Sequence, residues 1–260
     1  MSKFNLHTHT YRCNHARGED EDFVLAAIEN GYTTMGFSDH APYIFPENIS
    51  YYSDFRMKPY RTEGYAESVN ALKEKYKDKI DIKLGFEVEW YPELIEKELE
   101  YLKSFNYDYL ILGQHHISNE YDKAARYTGR PTRKVKHLDM YISQVLSAAR
   151  SGEFAYIAHP DIIKFVGSGR IYAQKMEEFI KALKEIDIPL EYNFLGYKEN
   201  RNYPNPVFWE LVKKYRNRTV IGLDAHQPWV YADSERIDKM RNEILTLGLN
   251  LIEDVNEILK

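Results

Sequence analysis

The stretch YLILGQHH, residues 109–116, is a short apolar run that halts at Gly113 and passes straight into two histidines. It is too short for a core helix and reads as a buried strand. Six more runs have the same character: FNLH at 4–7, MGFSDH at 35–40, IKLGFEVE at 82–89, YIAHP at 156–160, LEYNF at 190–194 and VIGLDAH at 220–226. Between and after them lie amphipathic stretches of helical length, near 20–30, 62–77, 92–103, 137–151, 172–187, 205–215 and 235–247, most of them rich in Glu and Lys at spacings suited to an exposed helix face. One helix after each strand is the pattern of parallel strands joined by right-handed crossovers. Seven such units predict an α/β barrel, with a doubly wound open sheet as the rival. At 260 residues and 30.8 kDa the chain can bury one sizeable core, so a single domain over 1–260 is expected. Two connections are long, at 41–61 and 117–136, and loops of that length in a compact domain usually act as lids or binding loops.

Composition narrows the classes. Hydrophobic residues make up 43% and charged ones 29%, which excludes wholesale disorder. The net charge of −5 gives no support to a nucleic-acid partner. A lone cysteine, Cys13, excludes an internal disulfide and any C-x-x-C site, so a reducing compartment is the simplest home. No stretch approaches the roughly 20 apolar residues of a membrane span. The opening MSKFNL carries no signal-peptide core, and a cytoplasmic location is expected.

Of nine histidines, seven fall at the ends of the expected strands: His7, His9, His40, His115, His116, His159 and His226. His15 follows the first strand in its loop, and only His137 lies elsewhere. Glu87 and Asp224 end the third and seventh strands. In parallel α/β folds these ends form one face, where active sites are built. In an extended strand His7 and His9 would share a side and could converge on one ion. Each residue also has a plain structural reading. His7 and His9 could sit at a wet strand mouth, His40 and His159 could cap or fill the rim, Asp224 could be an N-cap, and either Glu87 or Glu89 could be a solvated rim residue. About nine such residues landing on one face of one fold point instead to a metal site, for which imidazole and carboxylate suit zinc, iron and manganese.

HTH at 7–9, SDH at 38–40, GFEVE at 85–89, the His after the fourth strand, AHP at 158–160 and DAH at 224–226 resemble, in order and over essentially the whole chain, the polymerase and histidinol phosphatase (PHP) family. The resemblance implies a distorted seven-stranded (β/α)7 TIM-like barrel with three divalent metal ions (zinc, manganese or iron) at the C-terminal face of its strands. It implies that His7, His9, Glu87 and Asp224 hold one ion and that Glu87 bridges to a second held by the strand-4 histidine and His159. His15, His40 and His226 would hold the third. The family usually shows S-x-H-F after strand 4, where this chain has LGQHHI; counting without gaps from Asp108-Tyr109 puts His115 on the ligand position and His116 on the Phe position. His115 is preferred.

Bridged divalent ions supply hydroxide near neutral pH and neutralise phosphoryl oxygens, which suits direct attack on a phosphate ester. Rival apparatus is missing from the sequence: Cys13 lacks an Arg six positions on, and there is no D-x-D-x-T string and no Walker lysine. GSG at 167–169 reads as a turn. Asp161, directly after AHP, is a candidate proton donor and equally a candidate cap or partner of a ligand histidine. Lys198 and Arg201, in NFLGYKENRNYPNP, are the candidate phosphate contacts, with Arg130 and Arg133 weaker. This segment, the two long loops and the size of the chain resemble the histidinol-phosphatase branch. The expected substrate is therefore L-histidinol phosphate, with a nucleotide or sugar phosphate as the alternative small ester. A non-catalytic metal-binding domain predicts gaps in the ligand set, and none is seen. An amidohydrolase would want a carboxylated lysine at a strand end, and no strand end carries one.

Overall fold

The computed structural model describes residues 3–49 and 51–259. Its strands are β1 (Lys3–Asn5), β2 (Tyr32–His40), β3 (Asp81–Val88), β4 (Tyr109–Leu112), β5 (His116–Ile117), β6 (Arg126–Tyr127), β7 (Tyr156–Ile157), β8 (Leu190–Asn193), β9 (Arg218–Gly222) and β10 (Asn250–Leu251). Its helices are α1 (Asp20–Glu29), α2 (Thr62–Tyr76), α3 (Ile95–Lys103), α4 (Val135–Ser151), α5 (Gly169–Ile186), α6 (Phe194–Lys198), α7 (Pro206–Tyr215) and α8 (Ser234–Leu247). Eight strands form one parallel sheet in the order β1-β2-β3-β4-β7-β8-β9-β10. All seven expected strands are in it. The eighth, β10, pairs with the start of β9 and escaped the sequence reading because two residues, one of them polar, carry no periodic signal. The short helix α6 and the β5–β6 hairpin inside the second long loop were missed for the same reason.

Local chemistry sets the helix ends. Three acids open α1, where Glu19 and Asp22 form a reciprocal capping box against exposed N–H groups and the positive end of the helix dipole. Pro206 starts α7 while the Asn205 side chain accepts from the Val207 and Phe208 N–H groups. Helix α4 stops at Gly152, whose φ of 74° is a left-handed conformation that glycine adopts without strain.

The sheet curls until its first and last long strands meet. Just beyond β1 and β9, Thr8 and Ala225 form a parallel bridge, with His9 N–H to Ala225 O at 2.9 Å and Ala225 N–H to His7 O at 3.1 Å. Asn5 fastens this seam. Its Oδ1 accepts from Leu223 N–H (2.9 Å) and His7 N–H (3.2 Å), and its amide donates to Tyr231 Oη and Thr8 Oγ1, both at 2.9 Å. Alternate residues of the strands serve different cores. Leu110 and Leu112 of β4 join the large cluster under the helices. Tyr109 and Ile111 point the other way and pack with Leu6, Tyr156 and Val220. Ile252, Val255 and Ile258 from the C-terminal segment join that second cluster.

Two stability tests follow from this packing. Asn5→Leu leaves the buried N–H groups of His7 and Leu223 without their acceptor, and urea denaturation should show a loss of about 2–5 kcal/mol. Glu98 on α3 is 2% exposed, and burial pushes its carboxyl up to about 8 from 4.5. The folded state therefore holds a proton that the unfolded chain has released, so stability falls as pH rises through the window between those values. Glu98→Gln should flatten that decline, recovering up to about 5 kcal/mol above pH 8.

Candidate metal centre

The exit of β1 turns His7 and His9 inward, both fully buried, while Thr8 between them faces out to Tyr231 Oη at 2.6 Å. The two inward rings bring their Nε2 atoms to 3.1 Å of each other. Glu87, at the end of β3, sits at the middle of the cluster and is 1% exposed. Its Oε1 lies 2.9 Å from His159 Nε2, 3.6 Å from His115 Nε2 and 3.7 Å from His7 Nε2. Its Oε2 lies 2.8 Å from His40 Nδ1 and 3.6 Å from His9 Nε2. Asp224 Oδ1 approaches His9 Nε2 at 3.2 Å, His226 Nδ1 at 3.4 Å and His7 Nε2 at 3.6 Å. His15, on the outer side, stands 4.7 Å from the His226 ring and 5.3 Å from that of His40.

These contacts resolve into sets that fit metal ions. His7, His9 and Asp224 form one; His7, Glu87 and His159 another; His15, His40 and His226 a third, each with donor atoms within 4.8 Å of one another. Glu87 Oε2 and His40 Nδ1 face each other at 2.8 Å without hydrogen-bond alignment, and His159 Nδ1 is buried with no hydrogen-bond partner among the described residues. Buried polar atoms rarely go unpaired, and nitrogen and carboxylate donors in this number suit zinc, manganese or iron. Electrostatics agree. Burial alone would raise the Glu87 and Asp224 carboxyls, yet His115 and His40 around the first and His7 and His9 around the second hold both well below the usual carboxylate range. Burial, with the charge of His9 nearby, pushes His226 well below its ordinary value, leaving a neutral nitrogen donor.

Further carboxylates brace the histidines from behind. Glu191 Oε2 meets His7 Nδ1 at 2.8 Å, Glu89 Oε1 meets His115 Nδ1 at 3.0 Å, and Asp39 Oδ1 lies 3.5 Å from His9 Nδ1. Such partners choose the tautomer and hold the ring plane. Glu191 and Asp39 were missed in the sequence; the available signals were a carboxylate inside the apolar run LEYNF and the acid preceding His40. Glu89 is fully buried, so neither acid of GFEVE is a solvated rim residue. Backbone geometry is specialised too. His159 and Asp224 adopt φ of 31° and 51°, a region that non-glycine residues occupy at a cost and that concentrates at functional sites. Gly113 is required by close approach, because a Cβ there would lie 1.9 Å from Glu87 Oε1.

The cluster floors a cavity of about 570 Å³ whose walls include Phe55, His116, Tyr127, Arg201 and Tyr203. His115 faces Glu87, whereas the His116 ring turns to Phe55 at 5.3 Å and Tyr127 at 5.9 Å. Arg201 reaches the wall and is held by Tyr203 Oη at 2.9 Å and Glu199 Oε2 at 2.7 Å. Two expectations are corrected in part. Lys198 lies outside the cavity lining, its Nζ 4.2 Å from the centre of the Trp229 ring, because α6 turns it away. Asp161 is buried and also outside the lining; its Oδ2 accepts from Asn205 N–H at 2.5 Å and Trp209 Nε1–H at 3.0 Å, and burial pushes its carboxyl up to about 7. Neither contact is with one of the candidate ligand histidines. Arg130 and Arg133 are exposed.

Comparison with known proteins bears on this site. A family model described as PHP domain matches residues 5–194, a stretch that ends before Asp224 and His226. A probable histidinol-phosphatase of Deinococcus radiodurans is 29% identical over 234 residues, covering 85% of each chain. The histidinol-phosphatase of Bacillus subtilis is 22% identical over 263 residues, covering 87% of this chain and 94% of its own. The crystal structure of a histidinol phosphate phosphatase from Lactococcus lactis, complexed with zinc, L-histidinol and phosphate, has the same fold with a TM-score of 0.73 at 20% identity, covering 96% of this chain and 95% of that one. No helix among the described residues is long and apolar enough to cross a membrane.

Gly113→Ala drives a methyl group into the Glu87 carboxylate. Elemental analysis after metal loading should show fewer bound ions per chain than in the parent, with circular dichroism unchanged.

Proposed function

The chain belongs to the PHP domain family, and on that premise we propose that it is a metal-dependent phosphomonoesterase that cleaves L-histidinol phosphate to L-histidinol and phosphate. The observation that carries this reading is the nine-residue nitrogen and carboxylate cluster at the floor of a cavity with a guanidinium on its wall. Its relatives named histidinol-phosphatase at 29% and 22% identity support the choice of substrate.

In this reading the sheet is a seven-stranded barrel closed at the Thr8–Ala225 bridge, with β10 an addition at the start of β9. His7, His9, Glu87 and Asp224 would hold one ion, Glu87, His115 and His159 a second, and His15, His40 and His226 a third. Bound divalent ions supply a nucleophilic hydroxide near neutral pH and neutralise phosphoryl oxygens. The chain's own groups do the rest. Arg201, kept in place by Glu199 and Tyr203, offers its planar fork to a phosphate oxygen. Phe55, His116 and Tyr127 shape the wall beside the organic part of the ester. The contacts of Asp161 support a positioning role. It grips Asn205 and Trp209, while Asn202 Nδ2–H donates to Ile162 O at 2.8 Å, so residues 161–162 fix the segment that carries Arg201 and Tyr203.

With manganese or zinc restored, the protein should release phosphate from L-histidinol phosphate with a kcat/KM about tenfold or more above that for p-nitrophenyl phosphate and a panel of sugar and nucleotide phosphates. Equal rates across the panel would sink the named substrate while leaving a general phosphoesterase. Asp161→Asn preserves an acceptor oxygen, so a positioning residue predicts kcat within about threefold of the parent, and a proton donor predicts a loss of about 10²-fold or more. Steady-state rates for that one variant separate the two roles.

A further inference from the structure

Arg56 lies in the first long loop yet is 1% exposed, one of the largest fully buried side chains of the molecule. Its guanidinium is flanked by the rings of Phe55, at 4.5 Å, and Tyr43, at 5.2 Å. Each of its nitrogens has a defined partner. Nη1 donates to Ala41 O at 2.8 Å, at the start of its own loop. Nε donates to Glu120 Oε2 at 2.8 Å, and Nη2 reaches the same carboxylate, which belongs to the second long loop. Nη2 also pairs with Glu89 Oε2 at 2.9 Å, and the other oxygen of Glu89 is the one that meets His115 Nδ1. Tyr51 Oη–H, again from the first loop, donates to Glu120 Oε1 at 3.0 Å.

We propose that Arg56 is a positioning residue that ties both long loops to the orientation of the metal-site histidine His115, so that its loss weakens loop order and metal binding together. The proposal rests on the metal-centre reading given above. The physical reason is charge balance in a dry place. Glu89 and Glu120 are 0% and 4% exposed, and two buried carboxylates this close need a shared cation. Arginine meets both carboxylates through Nη2 while Nε adds a second bond to Glu120 and Nη1 reaches Ala41 O, a fixed set of donors that the one ammonium of lysine does not reproduce. Without Arg56, Glu120 would release the second loop, and Glu89 would turn to the His115 proton as its remaining partner, shifting the ring that faces Glu87. Phe55 sits beside Arg56 in sequence and forms part of the cavity wall, so the same lock sets the shape of the substrate end.

The test uses the metal-loaded full chain and three variants, Arg56→Met, Arg56→Lys and Glu120→Gln. Bound manganese or zinc is counted by elemental analysis, amide exchange is followed over 41–61 and 117–136, and KM and kcat are measured with both p-nitrophenyl phosphate and L-histidinol phosphate. Arg56→Met and Arg56→Lys should each lose about one ion per chain and speed exchange in both loops by about tenfold or more. Glu120→Gln should keep the parent's metal count, speed exchange in the second loop, and raise KM more than it lowers kcat. Arg56 variants with the parent's metal count and loop exchange, whatever their melting temperature, would overturn the proposal and leave an ordinary structural ion pair. Should Arg56→Met not fold, Glu120→Gln decides: unchanged exchange in the second loop also overturns it. Metal count and exchange need no substrate, so a wrong choice of ester would leave this outcome untouched, and a parent that binds no metal would fail the metal-centre reading before any variant is compared.

Discussion

A carboxylate that is almost dry must be surrounded by compensating groups, and Glu87 is that carboxylate. Five imidazoles converge on its two oxygens within 3.7 Å, from β1, β2, the turn after β4 and the turn after β7. They arrive from four separate places in the chain, so the strands have to curl around a common point. The lost hydration of Glu87 is offset only if that curl is accurate. Gly113 shows how little slack there is, since even one methyl group at that position would collide with the carboxylate.

The same logic extends outward in alternating charge. Glu87 and Asp224 face the histidines, and behind the histidines stand Glu191, Glu89 and Asp39. Behind Glu89 comes Arg56, and behind Arg56 comes Glu120 on the second long loop. Each layer satisfies the one inside it, so an imidazole ring near the cavity floor is oriented by groups well removed from it. This arrangement also explains why Arg56 and Glu120 can be buried inside long, irregular connections: each is satisfied by the other and by groups of the site.

Closure at Thr8 and Ala225 brings the two ends of the chain's architecture to the same side-chain cluster. His7 and His9 leave β1, and Asp224 and His226 leave β9; the hydrogen bonds of Asn5 hold these two exits side by side. Below them Leu6, Tyr109, Ile111, Tyr156 and Val220 fill the interior and meet the C-terminal Ile252, Val255 and Ile258. An apolar floor under a polar rim keeps the ligands from sinking inward and confines the charged chemistry to one face.

Strand identity and the metal-type residues were legible in the primary structure because they are local signals. Apolar runs such as YLILGQHH carry their own period, and a histidine at the end of such a run lands on the face where βα folds build sites. His7, His9, His40, Glu87, His115, His159, Asp224, His226 and the outer His15 all come together there. What the tertiary structure alone decided depends on partners distant in the chain. Glu191 became a brace for His7 across 184 positions, and Glu89 took its place between His115 and Arg56. Lys198 was turned onto Trp229 and away from the cavity, and Asp161 was drawn to Asn205 and Trp209. A residue type states what a side chain can do, but which neighbour satisfies it when water is removed is settled by packing, and packing is not a local property of the sequence.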